Sequence, residues 1–394
     1  MFAGRSLKLA TLFGIRIGVS SSWFVILFLL LYLFTERFRD TLGLATTGAF
    51  AVAAAAALLF FGSILLHELG HALAARREGI EVAGIDLFIF GGVMKMSREG
   101  PSAGAMFRIA AAGPLVTLVI VLGAGAAGAA LSGLPAITDA ARLDAAVGTS
   151  AVEQLVALLI GLNVILLLFN LVPALPLDGG QILRSAVWAA TKDRGKGTRV
   201  AAVLGQGFAY LLMAYGAWLF VRGDAFGGVW AVALGFLIGQ GARAAAAQNA
   251  FAERLEGITV ADIMDSDPVT IPAALDAARA YDEYFLRYQG WEWFAVVEED
   301  GRFVGLAHRA AVQHAALEER PPPTVREVAG ASRTDAQVRI DAPLEALLAS
   351  EPLRRTGALM ALDDEGRLRG VVTFEQVTRA LRAQLAPTGV GRAG

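Results

Sequence analysis

Residues 51–75 read AVAAAAALLFFGSILLHELGHALAA, which places two histidines and a glutamate inside an otherwise uncharged apolar run. On a helix, His67 and His71 share one face because they are four residues apart, so both imidazoles can reach one metal ion. Glu68 then lies beside the open coordination position, where a zinc hydrolase has its general base. A packing role alone would leave these polar groups unsatisfied in hydrocarbon, which is costly. The stretch therefore predicts a zinc hydrolase within a lipid bilayer.

The composition is that of a polytopic membrane protein with a soluble part. Of 394 residues, 56% are hydrophobic, and the mean hydropathy is +0.56. The net charge of −2 gives no indication of nucleic-acid binding. Cysteine is absent, which excludes disulfides, thiolate zinc sites and cysteine nucleophiles. Of the four histidines, His308 and His314 lie in a distant polar region, so the third metal ligand is expected to be a carboxylate.

Six apolar segments approach the length of about 20 residues that a helix needs to cross a bilayer. Their approximate bounds are 20–35, 48–75, 107–131, 154–173, 200–221 and 226–247. Lysine and arginine concentrate in the N-terminal segment and in the second and fourth loops, and basic loops favour the cytoplasm. The alternation predicts a multi-pass protein of the cell membrane with both termini in the cytoplasm. It also places the end of the His67–His71 helix near the cytoplasmic side.

Two segments near these helices have the character of β-strands. Residues 7–19 alternate around Gly14 and predict a hairpin that leads into the first span. Residues 80–96, IEVAGIDLFIFGGVMKM, are rich in β-forming residues and are interrupted by Gly91-Gly92. Irregular backbone at membrane depth is tolerated only where protein buries it or where it lines a wet cavity. A strand edge there could pair with an extended peptide; a surface hairpin without function is the alternative.

A carboxylate that fits the third ligand follows the fourth apolar segment, in the sequence NLVPALPLDGG of residues 170–180. The two prolines prevent a regular continuation of the helix, and the glycines after Asp178 allow close backbone approach. Asp178 is therefore predicted to reach a site on another helix, with a capped helix-ending turn as the alternative. Asn170 could donate a hydrogen bond to a developing oxyanion, to a substrate backbone or to a carbonyl freed near Pro173.

The C-terminal third of the chain contains an internal repeat. Residues 260–264 correspond to 325–329, and residues 301–305 correspond to 366–370, both with an offset of 65 residues. Each unit predicts the order strand, helix, strand, turn, strand, helix, and three prolines at 321–323 link the two units. Two such α/β units are expected to pack as a pair and to bury each other's apolar faces.

Three segments together resemble the site-2 protease family of intramembrane zinc metalloproteases, peptidase family M50, over roughly residues 5–245. They are the His67–His71 motif, Ala112-Gly113-Pro114, and the 170–180 segment. The repeat resembles a tandem of CBS domains. The resemblance implies a mainly α-helical polytopic membrane protein with about six transmembrane helices, a small membrane-associated β element and a cytosolic α/β CBS pair. The implied domains are 1–250 for the transmembrane zinc metalloprotease, 257–318 and 324–385 for the CBS domains, and 386–394 for a flexible tail.

The family's properties imply a role for each matching residue. His67, His71 and Asp178 would bind one zinc ion per chain, and Glu68 would act as the catalytic base. Gly91 and Gly92 in the β element, together with Asn170, would contact the substrate or the transition state. The reaction would be endopeptidase cleavage within or near transmembrane segments of membrane-tethered regulators, such as anti-sigma factors.

The CBS resemblance implies adenine-nucleotide sensing that modulates the activity, with Thr373 and Glu375 as nucleotide contacts. The sequence departs from the usual pattern, because Gln376 stands where an aspartate is common and the first unit lacks both residues. Two interpretations remain open at this point: a nucleotide site, or a structural pair that forms a homodimer.

A CBS-gated membrane transporter or channel is the main alternative function. It would account for the spans and for the repeat, but not for the combination of His67, Glu68, His71 and Asp178. A membrane oxygenase or desaturase is excluded because it needs many more histidines than the two in the apolar half.

Overall fold

Six helices among the described residues are long and apolar enough to cross a membrane, as the sequence predicts. The computed structural model of the protein describes residues 6–89, 91–133, 150–318, 321–330, 336–348 and 350–385. The predicted tail, 386–394, lies outside the described residues. The helices of this part of the chain are α1 (Ser21–Leu42), α2 (Thr46–Arg77), α3 (Ala103–Ser132), α4 (Ala151–Asn170), α5 (Asp178–Thr191), α6 (Arg194–Val221) and α7 (Ala225–Leu255). All of them except the shorter α5 are the membrane-length helices.

The helices extend beyond the apolar segments that predicted them. Helix α1 continues through the charged residues Glu36 and Asp40 and ends only where Gly43 adopts a left-handed conformation, with φ of 63°. Hydropathy marks the apolar part of a helix, whereas backbone hydrogen bonding continues into polar surroundings until such a residue stops it. This difference explains why the predicted first span is shorter than the observed helix.

A four-stranded sheet accompanies these helices in the order β1-β2-β3-β4. Its strands are β1 (Leu7–Leu12), β2 (Ile15–Val19), β3 (Val82–Phe88) and β4 (Gly91–Met96). The predicted N-terminal hairpin is confirmed as the antiparallel pair of β1 and β2, which turns at Phe13 and Gly14, both with positive φ. Strand β3 pairs in parallel with β2 and antiparallel with β4. One face packs on α2, since Ile15, Ile85 and Ile64 belong to the same buried cluster.

Helices α2 and α3 approach each other closely because glycine occupies their contact. A Cβ atom at Gly70 would lie 2.8 Å from Val116 Cγ2 and 2.9 Å from the carbonyl oxygen of Ala112. Small residues permit this approach between helices that lack a hydrophobic driving force in lipid. The contact brings the His67–His71 segment of α2 against the middle of α3.

The chain divides into two units, residues 1–250 and 251–394. The second unit contains two three-stranded sheets, with orders β5-β6-β7 and β10-β9-β8. The strands are β5 (Thr270–Pro272), β6 (Trp293–Val297), β7 (Phe303–His308), β8 (Gln337–Arg339), β9 (Ala358–Leu362) and β10 (Leu368–Thr373). The helices are α8 (Val260–Ile263), α9 (Ala277–Ala280) with a π-helical turn at Tyr281–Phe285, α10 (Arg309–Glu318), α11 (Val325–Gly330), α12 (Leu344–Leu348), α13 (Glu351–Thr356) and α14 (Phe374–Leu385).

The repeat within this unit is confirmed by equivalent turns and by a shared core. Gly301 and Gly366 have φ of 82° and 75° and occupy the corresponding hairpin turns. Ala295 and Leu306 from the first sheet share a buried cluster with Met360 from the second. The two repeats within residues 251–394 therefore bury each other's apolar faces, as the sequence pattern predicts.

Candidate metal centre

The first unit, residues 1–250, brings together the side chains of His67, His71 and Asp178. The Asp178 Oδ2 atom lies 3.0 Å from His67 Nε2 and 3.3 Å from His71 Nε2. The two Nε2 atoms are 3.2 Å apart. The histidines are 3% and 6% exposed. The structure thus brings the three residues that the sequence selects as ligands into one group, with both histidines buried and Asp178 partly buried.

The other ring nitrogen of each histidine is already occupied by a partner on α3. His71 Nδ1 is 2.7 Å from the carbonyl oxygen of Ile109, which can only accept, so Nδ1 carries the proton. His67 Nδ1 is 2.8 Å from Thr117 Oγ1. Because that hydroxyl is placed to donate to the carbonyl of Gly113 at 3.4 Å, it accepts from His67. In the neutral rings, both Nε2 lone pairs are therefore free.

These three donor atoms fit a zinc ion. Two imidazole nitrogens and a carboxylate oxygen are a common catalytic zinc set, and ligands about 2.0–2.2 Å from a tetrahedral zinc lie roughly 3.3–3.5 Å apart. The observed separations of 3.0–3.3 Å approach that spacing. Asp178 Oδ2 is buried and has no hydrogen-bond partner among the described residues. Three facing lone pairs repel each other unless a cation lies between them.

Asp178 reaches the histidines because the two glycines that follow it pack against backbone. It is the first residue of α5, after a segment in which Leu175 donates its amide to the Ala201 carbonyl. A Cβ atom at Gly179 would lie 2.4 Å from the Leu171 carbonyl oxygen, and one at Gly180 would lie 2.4 Å from the Leu175 amide nitrogen. Only glycine permits this approach, which is the reason the sequence suggested for the pair.

Glu68 is half-buried and lies against the start of β4. A Cβ atom at Gly92 would be 2.4 Å from Glu68 Cγ and 2.9 Å from its Oε1. Gly91, next to it, has φ of 134°, a conformation that favours glycine. The two glycines therefore let a strand pass directly over the glutamate.

The remaining predicted residues lie elsewhere or have other contacts. Asn170 is half-buried at the end of α4, one residue before the Leu171 carbonyl that packs on Gly179. In the second unit, the Thr373 hydroxyl and amide contact Gln376 Oε1 at 3.2 and 2.7 Å. Glu375 pairs with Arg379 at 2.9 Å. Thr373 thus serves as the cap of α14, and the nucleotide assignment stays a prediction.

Sequence reasoning did not select Thr117, the Ile109 carbonyl or Gly113 as individual site residues. Thr117 could have been noticed as a polar residue within an apolar segment, and the structure shows that it is fully buried. A Cβ atom at Gly113 would lie 2.1 Å from His71 Nε2 and 2.7 Å from His67 Nε2, so this glycine lies directly against both candidate ligand atoms. The Ile109 carbonyl has no signal in the sequence, because every residue has one.

An ion-pair network outside the helices holds β4 to the rest of the sheet. Asp86 on β3 lies 2.5 Å from Lys95 Nζ and 3.6 Å from Arg16 Nη1. Burial raises the pKa of Asp86, but hydrogen bonds with Lys95 and Ser6 and the charges of Lys95 and Arg16 outweigh it, so this pKa lies below its usual value of 3.8. The carboxylate therefore keeps its charge at neutral pH and fixes the strand that passes over Glu68.

Comparison with known proteins places this chain among zinc metalloproteases. Residues 55–214 match the family model "Peptidase family M50", and residues 260–318 match the CBS domain. Rip3 of Mycobacterium tuberculosis is 31% identical over 95% of this chain and 93% of its own length. The protein sll0528 of Synechocystis is 29% identical over 98% of both chains. Both are named as candidate zinc metalloproteases. A solved site-2 protease from Methanocaldococcus jannaschii is 25% identical over 61% of this chain and 95% of its own, with a TM-score of 0.40.

A multi-pass helical domain with this family match defines an intramembrane zinc metalloprotease of the site-2 type. The chain belongs to peptidase family M50 and carries C-terminal CBS domains. Its substrate is accordingly a protein in the membrane. The alternative of a CBS-gated transporter or channel without proteolytic activity is therefore excluded.

Proposed function

We propose that His67, His71 and Asp178 bind one zinc ion per chain and that Glu68 is the general base of peptide hydrolysis. The observation that carries this proposal is the meeting of three buried donor atoms within 3.3 Å of each other. Both histidines have their Nδ1 atoms directed to α3, which leaves Nε2 for a metal. A carboxylate as the third ligand completes a set that keeps one position open.

Bound zinc would polarise a peptide carbonyl and lower the pKa of a coordinated water to about 7. Glu68 would take a proton from the attacking water and then deliver it to the leaving amine. Its side chain packs beside Gly92 at the start of β4 and would turn toward the Nε2 atoms to act on the water. The apolar helices would exclude other water from the reacting peptide, except along a channel.

The substrate would bind as an extended strand beside β4. Helices hide their carbonyls in internal hydrogen bonds, so a transmembrane segment has to unwind before it can be cleaved. Among the described residues, β4 pairs with β3 on one edge only, and main-chain pairing with its free edge would hold a peptide extended. Gly91 and Gly92 would let that peptide approach Glu68. Asn170, at the end of α4, would donate to the oxyanion or to the substrate backbone.

The substrate class would be single-span regulators that are tethered to the membrane, such as anti-sigma factors. This assignment comes from the family and from the intramembrane location of the site. Both chain termini and the CBS pair would lie in the cytoplasm, since the basic loops alternate accordingly. The His67–His71 segment precedes Arg76 and Arg77 at the end of α2, so the site would receive water from that side.

The CBS pair would modulate proteolysis, either by binding an adenine nucleotide or by forming a homodimer. A nucleotide that uses Thr373 would have to replace the contact of this hydroxyl with Gln376, and one that uses Glu375 would have to replace the contact with Arg379. Calorimetric titration of the full-length protein with ATP and AMP distinguishes the two roles. Heat of binding that Thr373→Val abolishes would support the nucleotide site.

The proteolytic proposal is tested by co-expression with epitope-tagged single-span regulators from the same genome. Three variants are compared: wild type, Glu68→Gln, and the control Glu36→Gln, which changes an exposed glutamate at the end of α1. We expect cleavage by wild type and by the control, and none by Glu68→Gln, which should retain zinc. Equal processing by Glu68→Gln, or purified wild type without zinc, would contradict the assignment.

A further inference from the structure

Arg184 is a buried cation on α5, the helix that begins with Asp178. It is 8% exposed, and its Nη2 donates to Glu99 Oε2 at 2.7 Å. Its Nη1 contacts Gln181 Oε1 at 3.3 Å, while its buried Nε has no hydrogen-bond partner within the described parts of the chain. An ionised side chain in a membrane protein is expensive to bury and is retained where it has a task.

The ion pair joins the elements that build the metal centre. Glu99 lies between the end of β4 at Met96 and the start of α3 at Ala103. Strand β4 carries the glycine that packs on Glu68, and α3 carries both partners of the histidines. Arg184 lies six residues after Asp178, or about 9 Å along the helix. The pair therefore connects α5, which carries Asp178, to the segment between β4, which packs on Glu68, and α3, which contacts both histidines.

Burial distinguishes this pair from its neighbour. Arg194, the first residue of α6, also contacts Glu99 Oε2, but its side chain is 49% exposed and lies over the ring of Trp188. The Arg184 side chain is 10% exposed and that of Glu99 is 39% exposed, so the buried member of this pair is the arginine. Exposed ion pairs contribute little, whereas removal of Glu99 would leave the buried Arg184 charge without its ion-pair partner. The restraint on α5 thus comes from Arg184 rather than from Arg194.

We propose that Glu99 and Arg184 are positioning residues, whose ion pair keeps α5 where the Asp178 carboxylate meets the two histidines. The inference rests on the proposed role of Asp178 as a zinc ligand. Gly197 supports the same arrangement, because a Cβ atom there would lie 2.5 Å from the Arg184 carbonyl oxygen. Helix α5 is therefore restrained at its start by Gly179 and in its second turn by Arg184.

The test measures zinc affinity in the full-length, detergent-solubilised protein by competition with a chelator of known affinity. The variants are Arg184→Gln and Glu99→Gln, with Asp178→Ala as the reference for loss of the third ligand. Arg108→Gln is the matched control, since it breaks an ion pair of equal 2.7 Å length with Glu78 whose arginine is 61% exposed. The visible spectrum of the Co²⁺-loaded protein reports whether the ligand geometry changes.

We expect Arg184→Gln and Glu99→Gln each to weaken zinc binding by roughly 10- to 100-fold, which is typical when a residue that orients a metal ligand is replaced. Both variants should also alter the Co²⁺ spectrum. Arg108→Gln should match wild type. Thermal unfolding of the metal-free protein provides the comparison: lower thermal stability with wild-type zinc affinity in both variants would overturn the positioning role. If Arg184→Gln does not fold, Glu99→Gln decides the positioning role by the same criteria.

The outcomes distinguish failure of the positioning role from failure of the proposal that Asp178 is a zinc ligand. Wild-type zinc affinity in Asp178→Ala would remove Asp178 from the ligand set, and the zinc assignment would fail. Weakened binding in Asp178→Ala, together with wild-type binding in Arg184→Gln and Glu99→Gln, would overturn only the positioning role.

Discussion

The Thr117 hydroxyl on α3 accepts a hydrogen bond from His67 Nδ1 on α2 at 2.8 Å, and Thr117 is fully buried. A histidine that binds metal through one nitrogen is oriented by the partner of the other. Thr117 therefore determines both the tautomer and the direction of the His67 ring. A polar residue on α3 thus controls the orientation of a proposed zinc ligand on α2.

Replacing Thr117 by valine should weaken zinc binding by roughly 10- to 100-fold. Valine has nearly the same shape but offers no acceptor, so His67 Nδ1–H would be left unpaired in a buried site. Thr117→Ser, which keeps the hydroxyl, should retain most of the affinity. Zinc content after dialysis against a chelator measures the difference. Equal zinc retention by the valine and serine variants would show that the hydrogen bond has no such role.

Gly113→Ala should remove the metal centre without a large change in helix α3. Its Cβ atom would lie 2.1 Å from His71 Nε2, so at least one imidazole has to move. Displacement of a reacting group by about 1 Å can reduce activity roughly 100-fold, and here zinc should be lost as well. Gly123→Ala on the same helix is the control, since its Cβ atom would meet nothing within 4 Å. Zinc analysis and cleavage of a tagged substrate report both effects.

The motif residues could be predicted from sequence because their spacing and their apolar surroundings are local properties. His67 and His71 share a helical face, and the prolines and glycines around Asp178 mark an unusual helix start. The order of the sheet could not be predicted, because the parallel pairing of β2 with β3 joins residues far apart in the chain. The Ile109 carbonyl could not be selected either, since its role depends on how α2 packs on α3.

Gly92→Ala should abolish cleavage while zinc binding remains. The added Cβ atom would lie 2.4 Å from Glu68 Cγ, so the glutamate or strand β4 has to shift, and its three nearest atoms all belong to Glu68 rather than to a metal ligand. We expect a loss of at least about 100-fold in activity. Gly62→Ala on α2, which has open space around its Cβ position, should be active. Loss of zinc in Gly92→Ala would contradict this separation of base and ligands.

Asp86 should stabilise the sheet in a manner that depends on pH. Because Lys95, Ser6 and Arg16 together hold its folded-state pKa below 3.8 despite burial, the carboxylate is charged in the folded protein at neutral pH. Its contribution is fully present above the unfolded pKa and is lost as the pH falls through the lower folded-state value. Asp86→Asn should therefore lower the Tm at pH 7 by a constant amount that persists down to about pH 5 and shrinks below about pH 4. Thermal unfolding of both proteins between pH 7 and pH 3 measures this, and a Tm difference that does not change across that range would assign the effect to packing instead of charge.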